Sequence, residues 1–216
     1  MKIAVFMLAT PGLVGANISE ANAKAYCSKW GYDFVLKETL LNEKVSAKWN
    51  KILWLIEILP QYDAVFILDA DAIFVNFNVP LGEYVSDGIT ASLSGVDDHD
   101  ICSGAMLIRN TAETRDYLTR VIEHPNAFKV IRNRHDGHVI NDLLQSMDAP
   151  PLVTYPQNIF TARYIESNLN RPLTDMTDKT MIVHWRCGYK YNRPRWTEWM
   201  GKLSEEAQNQ TRFTVK

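Results

Sequence analysis

The sequence predicts an α/β protein with a mostly parallel central sheet flanked by helices. Strand-like and helix-like segments alternate over the first seventy residues, as they do in βαβ units. The first and third strand-like segments, "IAVFML" and "AVFIL", are continuous apolar runs, which is typical of strands covered on both faces. No linker rich in Pro, Gly or Ser divides the 216 residues, so we expect one domain with two halves, about 1–100 and 101–216.

The alternating part contains five segments. Residues 3–8 predict the first strand, and residues 16–31 predict a helix that is capped near Asn17 or Ser19 and closed by Gly31. The next three segments are a strand at 32–38, an apolar-faced helix at 46–60 that ends at a proline, and a strand at 63–68.

The remainder is less regular. Thr111 is the expected N-cap of a helix at 112–124, with acidic residues in its early turns. The other predicted helices are 136–147 and 195–208, and the extended segments are 72–77, 88–95, 104–110, 151–155 and 179–185.

Composition and charge exclude several classes of protein. The formal net charge of -2 provides no general positive field for gripping nucleic acid or an anionic membrane. The three cysteines, Cys27, Cys102 and Cys187, are widely spaced, which argues against a disulfide framework or a zinc site and favours a reducing compartment. The opening apolar run is too short to span a bilayer, so we expect no signal peptide or membrane segment and a cytoplasmic location.

Asp69 and Asp71 directly follow the third strand and precede a second apolar run, "AIFV". Ligands of parallel sheets bind at the carboxyl ends of strands. Two carboxylates one residue apart can converge on a cation where the chain turns, and Mg²⁺ and Mn²⁺ prefer oxygen ligands. Such an ion would neutralise a departing diphosphate. The alternative is an acid pair that caps a turn or pairs with surface lysines.

A third candidate ligand is distant in the sequence. "MIVHWRCGYK" places His184 at the end of another apolar strand, with Gly188 and Lys190 shortly after it. Neutral imidazole is a common metal ligand, glycine lets the backbone approach a phosphate, and lysine supplies positive charge. The alternative is a core histidine bonded to the backbone.

The segment "WNKILWLIEILPQYDAVFILDADAIFVN" resembles the donor-binding core of glycosyltransferases that have the GT-A fold and a D-x-D motif, above all the galactosyl/xylosyltransferases of family 34. The matching features are Trp49, Lys51, the D-x-D-A run, Phe74 and Asn76. "SGAMLIRN", "HDGHVINDLL" and "VHWRCGYK" are similar to later segments of that family, and "MLATPG" resembles the base-binding loop of family 8. A small domain of a larger viral enzyme, similar to those of chloroviruses, fits as well.

This resemblance implies a single Rossmann-like GT-A domain that transfers a sugar from a nucleotide-diphosphate donor, with UDP favoured, to a glycan or another hydroxyl acceptor. It implies that Mn²⁺ or Mg²⁺ is held by Asp71, His184 and Asp69, the last of which could instead bind the donor ribose. It places the nucleotide and metal in the first half of the chain and the acceptor and a C-terminal lid in the second. The implied donor contacts are Ala9 and Thr10 at the base, Lys51, Ser103 and Gly104 near the donor, and Gly188 and Lys190 at the diphosphate.

The resemblance leaves the catalytic base open. Asp136 is expected to face the donor sugar or the acceptor, and Asp97 or Asp98 in the loop "GVDDHD" could bond sugar hydroxyls or act as the base. Two departures from family 34 occur, since three residues separate His184 from Gly188 where the family has two, and the glutamine expected in the acidic helix is replaced. The family favours retention of configuration, but the sequence does not fix the sugar, the acceptor or the stereochemistry.

Two other interpretations of the sequence stay open at this point. The D-x-D run faintly resembles the aspartate motif of haloacid-dehalogenase phosphohydrolases, although that motif normally follows the first strand of the chain. The protein could also be a non-catalytic module that binds a sugar or a nucleotide on an enzyme scaffold. A phosphatase assay and a sugar-transfer assay would distinguish these two alternatives from a glycosyltransferase.

Overall fold

The computed structural model describes residues 1–93, 100–129, 136–156, 161–163, 179–184 and 193–209. The strands within these ranges are β1 (Ile3–Leu8), β2 (Asp33–Lys37), β3 (Ala64–Leu68), β4 (Ala72–Phe74), β5 (Ile89–Leu93), β6 (Ile101–Arg109), β7 (Leu152–Tyr155), β8 (Thr161–Arg163) and β9 (Ile182–His184). The α-helices are α1 (Ala16–Trp30), α2 (Ala47–Ile58), α3 (Ala112–Glu123), α4 (Asp136–Leu144) and α5 (Arg193–Gln208).

The central sheet has six strands in the order β2-β1-β3-β6-β5-β7. β1 pairs in parallel with both β2 and β3, and β5 pairs in parallel with β7. β6 is antiparallel to its neighbours β3 and β5. Among the described strands of this sheet, β6 is therefore the one whose direction is opposite to that of the others. The prediction of a mostly parallel central sheet is confirmed.

Helices cover both faces of this sheet because side chains alternate along each strand. On β1 and β3, Val5 and Phe66 face a core that includes residues of α1, whereas Phe6 and Val65 face a core that includes residues of α2, α3 and α4. The residues of β3 are all fully buried. Burial on both faces explains why the strands are continuous apolar runs in the sequence.

A second, three-stranded sheet with the order β4-β9-β8 extends the fold beyond the end of β3. β4 and β9 are antiparallel, and Ala72 lies opposite His184 in their register. This pairing brings a late part of the chain against the segment that follows Asp69 and Asp71.

The predicted cap of α1 is wrong, and the predicted end of α2 differs by two residues. α1 begins at Ala16 after Gly15, which has a φ of 80°, and neither Asn17 nor Ser19 caps it. α2 ends at Ile58, and Pro60 lies in a 3-10 turn over Leu59–Gln61. The predicted capping of α3 is confirmed, since the Thr111 hydroxyl accepts a hydrogen bond from the backbone N–H of Thr114. Among the described helices, none combines the length and the apolar character that a bilayer crossing needs.

Candidate metal and donor site

Asp69 and Asp71 lie in a tight turn that joins β3 to β4. The backbone N–H of Asp69 donates to the carbonyl of Gly104 on β6 (2.8 Å), and the N–H of Ala72 donates to the carbonyl of Asp69 (3.0 Å). These two bonds fix the backbone on both sides of the acids. The chain therefore does turn where the two carboxylates must converge.

The antiparallel pairing of β4 with β9 brings His184 to this turn. Its Nε2 lies 3.1 Å from Oδ1 of Asp71 and 3.5 Å from Oδ2 of Asp69. One ligand atom from each of the three residues lies within 4.8 Å of the other two. Two carboxylates and one imidazole form a donor set that suits Mn²⁺ or Mg²⁺, so these residues fit the metal that the family resemblance implies.

Gly104 lies against this cluster. A Cβ at this position would be 2.6 Å from Cε1 of His184 and would overlap the carboxylate of Asp69. Any larger residue would therefore displace two of the three candidate ligands. The glycine is required here because β6 passes close to the site. A positive φ angle is not the reason, since Gly104 does not have one.

Lys51 on α2 connects the cluster to a third acid. Its Nζ donates to Oδ1 of Asp69 (2.8 Å) and to the carbonyl of Ser103 (3.2 Å), and it lies 3.6 Å from Oδ2 of Asp136. The side chains of Lys51 and Asp136 are 7% and 4% exposed, so this ion pair is shielded from water. Lys51 thus neutralises two acids that come from different parts of the chain.

The charges in the site shift the ionisation of its members. Burial lowers the pKa of Lys51, but Asp69 and Asp136 outweigh burial and hold that pKa above its usual value. Burial raises the pKa of Asp69, whereas Lys51 and His184 lower it, with a net lowering. For His184, burial lowers the pKa, and the hydrogen-bonded carboxylate of Asp71 raises it well above its usual value. A cation would compete with this imidazolium proton, because a metal binds the neutral ring.

Helix α4 begins at Asp136 beside Lys51. Within the part of the chain that the structure describes, the buried Oδ2 of Asp136 has no hydrogen-bond partner, and the same holds for both ring nitrogens of His138 two residues later. Buried polar atoms without a hydrogen bond are uncommon in folded proteins, and a catalytic role or a bound water or ion is one explanation for them.

One protein-family model matches part of this chain. The model of the galactosyl transferase GMA12/MNN10 family matches residues 13–91, a segment that includes Lys51, Asp69 and Asp71. These findings indicate a GT-A-type glycosyltransferase that resembles family 34. No curated protein sequence matches the chain at a significant level.

Solved structures with the same fold include other glycosyltransferases. One is a glycosyltransferase involved in the glycosylation of the major capsid of PBCV-1, with 16% identity, a TM-score of 0.68, and coverage of 94% of this chain and 100% of that one. Another is the catalytic domain of Drosophila beta1,4galactosyltransferase 7 in complex with xylobiose, with 12% identity, a TM-score of 0.51, and coverage of 89% and 74% respectively. At these identities the likeness establishes the fold.

Several predicted site residues of this glycosyltransferase lie near the cluster and others lie outside the described residues. Ala9 and Thr10 lie in the loop after β1, at the same edge of the sheet as the acids because β1 and β3 are parallel neighbours. The amide of Ala9 donates to the carbonyl of Lys37 (2.9 Å). Asp97, Asp98, Gly188 and Lys190 fall outside the described ranges, so their roles stay predictions.

Sequence reasoning missed the residues that hold the acid-bearing turn from α1. The Ser19 hydroxyl donates to the carbonyl of Ala70, the residue between the two acids (2.9 Å). The Asn22 amide bonds both the N–H and the carbonyl of Phe74 in β4 (2.8 and 3.0 Å). Both residues are fully buried. Their spacing of three residues places them on the same face of α1, and two polar residues on the buried face of a helix are the sequence feature that could have identified them.

Proposed function

We propose that this glycosyltransferase transfers a sugar from a nucleotide-diphosphate donor, with UDP favoured, to a hydroxyl of a glycan or another acceptor, and that Mn²⁺ or Mg²⁺ is required. The observation that carries the proposal is the convergence of Asp69, Asp71 and His184, whose ligand atoms meet although 113 residues separate Asp71 from His184. Bound at this point, the metal would supply positive charge that stabilises the departing diphosphate.

The two carboxylate oxygens of Asp69 have different environments, which supports different roles for them. Oδ1 accepts the hydrogen bond from Lys51, and Oδ2 is the oxygen nearer to Nε2 of His184. Lys51 thereby orients the carboxylate, and Oδ2 would be the oxygen available to the cation or to the donor ribose. Asp71 offers Oδ1 and His184 offers Nε2 to the same point.

The remaining donor contacts are proposed from the family resemblance. Ala9 and Thr10 would lie at the nucleotide base, because their loop follows β1 at the carboxyl edge of the sheet. Ser103 and Gly104 would border the donor where β6 passes the acids. Gly188 and Lys190 would bind the diphosphate through backbone N–H groups and a positive charge.

Asp136 is proposed to accept a hydrogen bond from a hydroxyl of the donor sugar or of the acceptor. Its buried Oδ2 has no hydrogen-bond partner among the described residues, and the ammonium group of Lys51 lies 3.6 Å from it. As a base it would take the proton of the attacking hydroxyl in an inverting reaction. Asp97 and Asp98 remain the other candidates for this role.

The alternatives predict different behaviour. The family match and the fold do not favour a haloacid-dehalogenase-like phosphohydrolase. A non-catalytic module would bind nucleotide sugars without consuming them. The cytoplasmic location, the single-domain organisation and membership of a larger multidomain protein stay predictions.

A thermal-shift screen tests the proposal. UDP, GDP and their sugar conjugates are each added with Mn²⁺, with Mg²⁺ or with EDTA, because a ligand that binds the native state raises the melting temperature. We expect a rise only when nucleotide and metal are both present, followed by donor consumption in a transfer assay. No rise with any nucleotide would contradict the proposal, and a rise without donor consumption would favour the binding module.

A further inference from the structure

Cys102 on β6 contacts the ring nitrogen of His184 that faces away from the acids. Its Sγ lies 3.5 Å from Nδ1 of His184, while Nε2 of the same ring points to Asp71. Both residues are 4% exposed. We propose that Cys102 is a positioning residue for the metal site, whose sulfur accepts the Nδ1–H of His184 and thereby directs the Nε2 lone pair toward the cation; this rests on the proposed function.

The chemistry of a histidine ligand requires such a partner. When a neutral imidazole binds a cation through Nε2, its proton resides on Nδ1. In a buried site that N–H needs an acceptor, because an unsatisfied buried donor is costly. Metal-binding histidines usually find a carboxylate, a carbonyl or a water for this purpose, and the partner fixes both the tautomer and the ring orientation. Here a thiol sulfur occupies that place.

Strand β6 explains why this sulfur is well placed. Side chains two residues apart on a strand lie on the same face, so Cys102 and Gly104 both face the metal site. Gly104 leaves room for Asp69 and for the His184 ring, and Cys102 supplies the acceptor at the ring's other edge.

The two neighbours of Cys102 fix the strand on either side of it. The N–H of Ile101 donates to Oδ1 of Asn141 on α4 (2.8 Å), and the carbonyl of Ser103 accepts from Lys51 (3.2 Å). The backbone around Cys102 is thereby held to α4 and to α2. A substitution of the thiol alone should thus leave the strand in place and change only the environment of His184.

The first test titrates MnCl₂ into the intact protein by calorimetry, alone and with UDP. Cys102→Ala removes the acceptor, and we expect Mn²⁺ binding to weaken about 10-fold or more, as for other partners of metal-binding histidines. Cys102→Ser keeps a hydrogen-bonding group with a shorter reach and should recover part of this loss. Cys27→Ala is the matched control, since Cys27 is also a buried cysteine but its thiol lies against the carbonyl of Asp33 and outside the site, and the Mn²⁺ affinity of this variant should be unchanged.

The second test observes the His184 ring by ¹⁵N NMR with diamagnetic Mg²⁺ bound. We expect the Nδ1–H form in the wild-type protein and in Cys102→Ser, and a mixture of ring tautomers or orientations in Cys102→Ala. A loss of packing alone would not change the tautomer, so this readout distinguishes positioning from general stability.

The outcomes separate this inference from the proposed function. If the wild-type protein binds neither Mn²⁺ nor UDP with Mn²⁺, the proposed metal-dependent function fails. If the wild-type protein binds Mn²⁺ and Cys102→Ala binds it equally well, the inference on Cys102 is overturned. An Nε2–H ring in the Mg²⁺-bound wild type would overturn it too, even if Cys102→Ala does not fold.

Discussion

The ammonium group of Lys51 lies 2.8 Å from Oδ1 of Asp69, and this partly buried ion pair joins α2 to the turn between β3 and β4. The same ammonium group lies 3.6 Å from Asp136 at the start of α4. One cation thus holds together acids that are 67 residues apart, since 136 − 69 = 67. The geometry leads to a first prediction on stability.

Lys51→Met should lower the free energy of unfolding by roughly 3–5 kcal/mol, because it leaves the buried carboxylate of Asp136 and the partly buried carboxylate of Asp69 without their cation. Urea unfolding measures the change. Lys48→Met is the matched control, since Lys48 is exposed on the same helix and its loss should change stability by no more than about 0.5 kcal/mol. Equal effects of the two substitutions would show that the buried ion pair is not an important contact.

Gly104→Ala should remove metal-dependent nucleotide binding, because the added methyl group would overlap Asp69 and the His184 ring. Calorimetry with Mn²⁺ and UDP measures the loss. Gly201→Ala on α5 is the control, since its added Cβ would meet nothing within 4 Å among the described residues outside its own stretch of helix, and alanine in a helix should raise stability by roughly 0.5–1 kcal/mol. Normal binding by Gly104→Ala would mean that the three candidate ligands are not held as the structure indicates.

Asp71→Asn should abolish metal-dependent donor binding while the fold stays intact, because an amide replaces a charged oxygen ligand of the cation. His184→Ala should weaken metal dependence less than this, since a neutral ligand contributes less charge. Mn²⁺ calorimetry with UDP and circular dichroism check both variants. Asp87→Asn, which alters an exposed ion pair with Arg109, is the control and should bind normally. A larger loss in His184→Ala would reverse this ranking of the ligands.

Asp136→Asn should leave the affinity for Mn²⁺ and UDP unchanged and slow sugar transfer by about 100-fold or more, as expected for the loss of a catalytic acid or base. Single-turnover transfer rates and UDP calorimetry separate these effects. Asp142→Asn, at an exposed position of the same helix, should retain the wild-type rate. If transfer by Asp136→Asn is normal, the base is another group, and Asp97 and Asp98 become the residues to substitute next.

Ser19→Ala should weaken Mn²⁺ binding and lower stability by roughly 1–3 kcal/mol, because the carbonyl of Ala70 between the acids loses its buried donor. Ser146→Ala removes a comparable hydroxyl-to-carbonyl bond, to Leu143, at a distance from the acids. We expect it to affect stability alone, as measured by urea unfolding and Mn²⁺ titration. Unchanged Mn²⁺ affinity in Ser19→Ala would show that the acid-bearing turn is held without this bond.

Local patterns were enough to predict most secondary structure and the two acids. Residues 3–8 and 64–68 form strands as their continuous apolar runs predict, and Thr111 caps α3. The cap of α1 was predicted wrongly, because the Ser19 hydroxyl, which could cap a helix, instead donates across the core to the carbonyl of Ala70. A capping pattern states which residues can cap, and the tertiary fold decides whether they do.

The sequence by itself determined the alternation of strands and helices, the position of Asp69 and Asp71 at the end of a buried strand, and His184 as a candidate partner, since each depends on neighbours within a few residues. Only the tertiary structure decided that Ala72 lies opposite His184 and that Cys102 contacts the same ring across 82 residues of sequence. It also decided that Lys51 is shared between Asp69 and Asp136. The physical reason is that strand register and side-chain contacts depend on how distant segments pack, and periodicity along the chain does not encode those pairings.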